Sequence, residues 1–99
     1  MKKKFAFLLM GAHYDPAVHH AQFETEKQVT CIFTVRDFDA AVEKVKELDA
    51  QGFGAIELCG AFGQEKTKYL AEVTGNRIAL GYVVHDPEMD ELFRQFFGK

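Results

Sequence analysis

Four short apolar runs at nearly equal spacing constrain the fold of this chain more than any other feature. Phe5–Met10, Val29–Val35, Ala55–Cys59 and Ile78–Val84 start 24, 26 and 23 residues apart. Each has the length of a strand, is rich in Val, Ile, Phe or Leu, and is bounded by turn residues. The intervals leave room for a helix between successive strands, and runs that are apolar along most of their length suit parallel strands covered on both faces.

Helical spacing follows the last three runs. Asp37 is placed to cap a helix whose apolar positions are Phe38, Ala41, Val42, Val45 and Leu48, with Gly52 just past its end. A weaker stripe, Lys66, Tyr69, Leu70 and Val73, closes at Gly75, and a stronger one, Met89, Leu92, Phe93, Phe96 and Phe97, closes at Gly98. Between the first two runs, Gly11–Gln28 reads as loop plus a short helix starting at Pro16 and running through Glu24. The expected fold is α/β: one domain of alternating strands and helices around a mainly parallel four-stranded sheet with right-handed crossovers, either open or shaped like half of a (β/α)₈ barrel. The Phe-rich C-terminal stripe is expected in the core. Ten Phe in 99 residues also leave apolar surface that a partner copy would cover, so a homodimer or higher oligomer is expected.

Composition removes several function classes. The net charge is −3, with both signs spread along the chain, so there is no basic footprint for nucleic acid. The start, Met1-Lys-Lys-Lys before Phe5–Ala12, has the outline of a signal peptide, but its apolar stretch is minimal and reads as a buried first strand. No run approaches a membrane span, and a cytoplasmic location is the expectation. Cys31 and Cys59 lie apart, inside apolar runs and without C-x-x-C spacing, which argues against structural zinc and, in that compartment, against a disulfide.

The segment Ile56-Glu57-Leu58-Cys59-Gly60-Ala61-Phe62-Gly63, with Asp15-Pro16 in the first loop and Gly81-Tyr82-Val83 in the last run, resembles a family of small bacterial proteins of unknown function, and the resemblance covers essentially the whole chain. Ala79 stands where relatives often carry Pro. The resemblance implies no activity, cofactor or substrate.

The chemistry therefore rests on the residues. In a parallel sheet the C-terminal strand ends share one rim, the usual place for ligands. That rim would carry His13 after the first run, Arg36 after the second, Glu57, Cys59 and Gly60 at the third, and His85 after the fourth. A carboxylate in an apolar strand is costly unless paired or used, which makes Glu57 a candidate acid or base; the alternative is a carboxylate at a strand end, solvated or paired with Arg36 or Arg77. Strand alternation would put Cys59 on the same side as Glu57, next to a helix start that favours a nucleophilic thiolate, although a small buried hydrophobe needs no such role. Small residues at Ala79 and Gly81 leave space on their face for a large neighbour or a ligand. Gly60 and Gly63 would let a small anionic metabolite approach free helix N–H groups, with His13, Arg36 or a protonated His85 assisting; turn formation alone also explains them. His13, His19, His20 and His85 show no metal-ligand spacing, so neither metal nor cofactor is expected. Two readings stay open: a metabolite-binding protein with Glu57, Cys59 and His85 in proton-transfer or nucleophilic roles, and a non-catalytic homo-oligomeric binding module.

Overall fold

The computed structural model describes residues 2–98. Five strands, β1 (Lys3–Met10), β2 (Ala21–Glu24), β3 (Gln28–Val35), β4 (Ala55–Leu58) and β5 (Ala79–Tyr82), form one sheet in the order β2-β3-β1-β4-β5. β3, β1, β4 and β5 are parallel, and β2 is an antiparallel edge. Three helices follow β3, β4 and β5: α1 (Phe38–Ala50), α2 (Gly63–Val73) and α3 (Asp90–Phe97). The α/β reading and the parallel four-strand centre are thus as expected, with the fifth strand an addition.

That fifth strand corrects the expectation of a short helix through Glu24. Asp15 and Pro16 build a turn instead, in which Asp15 Oδ1 accepts from Ala17 N (3.1 Å) and the Asp15 carbonyl accepts from the N–H groups of Val18 and His19. The chain then doubles back through a tight reversal at Thr25, whose hydroxyl accepts from Lys27 N and Gln28 N. Ala21–Glu24 lacks an apolar period because all four residues are exposed at the edge, and its strand character comes from pairing with Val29–Ile32.

α1 begins as the sequence implies: Asp37 Oδ1 accepts from Ala40 N (2.8 Å), and Gly52 follows the C-cap with φ +87°. Its buried residues Ala41, Val45 and Leu48, with Leu70 of α2, pack on Ala6 and Leu8 of β1, Cys31 and Val35 of β3, and Ile56 and Leu58 of β4. Register puts these strand residues on one side of the sheet: Ala6 pairs with Cys31 and Ile56, and Leu8 with Phe33 and Leu58. Both helices therefore cover one face, and that face is the core.

The other face carries Phe5, Phe7 and Leu9 of β1, Thr30, Ile32 and Thr34 of β3, Phe23 of β2, Ala55 and Glu57 of β4, and Ala79 and Gly81 of β5. Of these only Thr34 is buried, its hydroxyl donating to the His19 carbonyl (2.8 Å) under the β1–β2 loop. Topology explains the difference. The steps from β3 to β4 and from β4 to β5 run in one direction across the sheet, and the step from β1 to β3 runs in the other. Right-handed crossovers in opposite directions pass over opposite faces, so the β1–β3 connection is the one that would cover this second face. Here it contributes a turn and an edge strand in place of a helix.

α3 is the second correction. The Phe-rich stripe forms a helix closed by Gly98 at φ +77°, yet none of its residues is buried. Leu92, Phe93, Phe96 and Phe97 are 61%, 41%, 81% and 65% exposed. α3 packs chiefly on the 3₁₀ turn Pro87–Met89 that precedes it. Helical period was legible, but period does not say against what a stripe packs.

Candidate functional site

The connections reverse direction between β1 and β4, and the crevice beyond their C-terminal ends is where ligands of such sheets bind. Gly11 and His13 follow β1 there, and Cys59 and Gly60 follow β4. Met10 N donates to Cys59 Sγ (3.4 Å) across this point, and Cys59 N donates to the Leu8 carbonyl. β4 ends at Leu58, so strand alternation does not reach Cys59. Cys59 is half-buried and packs against the core. Both cysteines are free, and burial pushes the Cys31 thiol above its ordinary pKa.

Glu57 stands exposed on the uncovered face, level with Phe7 on one side and Gly81 on the other. Its carboxylate occupies the space over Gly81, where a Cβ would lie 2.5 Å from Oε1. The room expected at Gly81 is therefore filled by Glu57 itself. Neither arginine proposed as its partner reaches it. Arg36 Nε donates to the Tyr14 carbonyl (2.7 Å) and its guanidinium lies 3.9 Å from Asp15, while Arg77 binds Asp49 through two hydrogen bonds.

His85 belongs to the C-terminal unit. Its ring stacks on Phe93 (centroids 4.0 Å, planes 9° apart) and its Nε2 is 2.7 Å from Asp90 Oδ1. The His13 ring lies over Gly11 and against Tyr14 (4.3 Å). His19 Nδ1 accepts from Asp15 N, and His20 Nε2 faces the Ala17 carbonyl. Among the described residues no three His, Cys, Asp or Glu side chains cluster as a metal site. Arg36, Arg77 and His85 thus each have a local partner, and Glu57 has none among the described residues.

Gly63 opens α2 with φ +74°, and no side chain caps that helix start, which carries Glu65 in its first turn. Two surface cavities lie elsewhere. One is lined by Lys2, Lys3, Glu26 and Lys27, and the other runs along Phe33–Val35 of β3, past its pairing with β2, between Pro16 and α1, where the Lys44 ammonium sits 4.1 Å from the Phe33 ring centroid. Glu57, Cys59 and His85 line neither.

The surface that sequence reasoning passed over is the open sheet face; the stripe of α3 it singled out but placed in the core. A signal for the first was present: Phe5-Ala-Phe-Leu-Leu-Met is apolar on both sides of its strand, while Gly11–Gln28 holds too thin a stripe to cover the second side.

Residues 3–98 match a family described as a family of unknown function, DUF6506. Comparison with curated proteins and with solved structures finds no match. Among the described residues no helix is long and apolar enough to cross a membrane.

Proposed function

The chain belongs to DUF6506, a family of unknown function; from its own surfaces we propose that it is a non-catalytic homo-oligomeric α/β module. The observation that carries this reading is the pairing of two unpartnered apolar surfaces in one small chain, the sheet face of Phe5, Phe7, Leu9 and Ile32 and the stripe of α3. Parallel sheets are ordinarily covered on both sides, and a chain of this size has few residues to leave large aromatic groups in water. An enzymatic reading draws little from the geometry, because Glu57, Cys59 and His85 occupy three different surroundings.

Binding of a small anion beside Gly60 and Gly63 is a second reading, supported by the uncapped start of α2. It is the weaker one. Glu65 opposes an anion there, and the side chains an anion would recruit, Arg36 and His85, already lie beside Asp15 and Asp90.

Light scattering of the purified chain at micromolar concentration tests the first reading. A mass of 11.2 kDa, one chain, at every concentration would contradict it, and a multiple of that mass is expected.

A further inference from the structure

We propose that two copies of this chain exchange their C-terminal helices, α3 of each lying across the open sheet face of the other and closing it beside Glu57. The inference rests on the oligomeric reading above and identifies the surfaces that join.

The sheet side of the argument is topological. The β1–β3 connection is the one whose handedness would send a helix over this face, and it supplies none. Phe5, Phe7, Leu9 and Ile32 form an apolar seat along β1 and β3, with Phe23 extending it at the β2 edge. Glu57 and Gly81 mark the opposite margin.

The helix side is energetic. α3 has eight residues, too few to hold helical structure in water without packing, and its stripe of Leu92, Phe93, Phe96 and Phe97 needs an apolar surface. The helix does not lie on its own sheet. His85, at the exit from β5, stacks on Phe93 and bonds Asp90, and Pro87 fixes the turn between them. The molecule extends 43 Å along one axis against 27 and 24 Å along the others.

Area decides for a second copy as the occupant. With aromatic rings of roughly 200 Å² each, the stripe of α3 exposes about 500 Å². Two helices on two sheet faces would bury about four times that, at the upper end of the roughly 1,200–2,000 Å² found in stable interfaces. The arrangement is self-complementary: each copy gives the helix it receives, so a two-fold pair closes without leaving either surface free. In that pair Glu57 becomes one wall of a crevice between the sheet and the partner helix, a site that neither chain completes alone.

Sedimentation equilibrium on the full chain and its variants tests the exchange. Wild type is expected at twice 11.2 kDa. Phe96→Asp, which removes the most exposed ring of the stripe, and Phe7→Glu, in the middle of the seat, are each expected to give monomers. An equimolar mixture of the two variants is expected to recover a dimer, because one intact helix then meets one intact face. Should Phe7→Glu lose its circular dichroism signal, Phe23→Lys, at an exposed position on the same face, replaces it. A dimer that survives both substitutions, or folded variants that fail to recover association on mixing, would overturn the exchange and leave oligomerisation standing. A wild type that stays monomeric at its highest soluble concentration, with α3 on its own sheet or awaiting a different partner, would overturn both.

Discussion

The two faces of the sheet are built from the same four parallel strands and differ in almost everything else. On one, Leu8, Ile56 and Leu58 are sealed beneath α1 and α2; on the other, Phe5, Phe7 and Ile32 are only half-buried and Glu57 is exposed. Composition does not separate them, since both are mostly apolar. The difference lies in which crossovers carry a helix. An apolar strand residue is a core residue only where the connection that passes over it brings something to pack.

The largest expected contrast follows from this. Leu58→Ala, at a fully buried position, should cost about 2–5 kcal/mol, because the lost transfer energy is joined by a cavity. Phe96→Ala, although it removes more atoms, should stay within about 0.5 kcal/mol in the dilute single chain. Chemical denaturation of both variants measures the difference. Equal losses would mean that α3 packs in the core of its own chain.

A smaller effect is expected on the covered side at the start of α1. Asp37→Ala removes the acceptor for Ala40 N and should cost about 1 kcal/mol, with Asp37→Asn largely retaining the cap. Denaturation midpoints for the pair separate the cap from the loss of charge.

Acid stability gives a third comparison. Hydrogen bonds from Arg77 hold the Asp49 carboxyl below its ordinary pKa, so folding favours the ionised form. The sign follows directly: the stabilisation is present above the unfolded-state value, about 3.9, and is lost as pH falls through the lower folded-state value. Wild type should therefore lose stability below about pH 4 more steeply than Asp49→Asn, by a modest amount because Arg77 is largely in solvent. Parallel acid limbs would show that this pair contributes nothing.

The smallest effect is expected on the open face. A methyl group at Gly81 meets only the Glu57 carboxylate, the free end of a flexible side chain, so Gly81→Ala should leave the denaturation midpoint within about 0.5 kcal/mol of wild type. A large loss would mean that Glu57 is fixed in place by a packed environment.

Much of the fold was legible because it depends on period and punctuation. Asp37, Gly52 and the stripe from Phe38 to Leu48 specify α1 locally, and the four apolar runs mark the parallel strands. β2 was not legible because an edge strand needs only backbone pairing, which four exposed residues supply without an apolar pattern. The site was legible in position more than in content. His13, Arg36, Cys59 and His85 do follow strands, yet each side chain makes a contact that spacing does not encode: His13 with the Tyr14 ring, Arg36 with the Tyr14 carbonyl, Cys59 with Met10 N, and His85 with Phe93. Glu57 has no polar partner among the described residues, and it lies on the face left uncovered.

Amide hydrogen exchange of residues 90–97 as a function of protein concentration tests the exchanged-helix account most directly. If α3 is covered by a second copy, its amides exchange quickly in dilute solution and become protected as concentration rises, while those of α1 stay protected throughout. Protection of α3 that is independent of concentration, or absent at every concentration, would contradict the account.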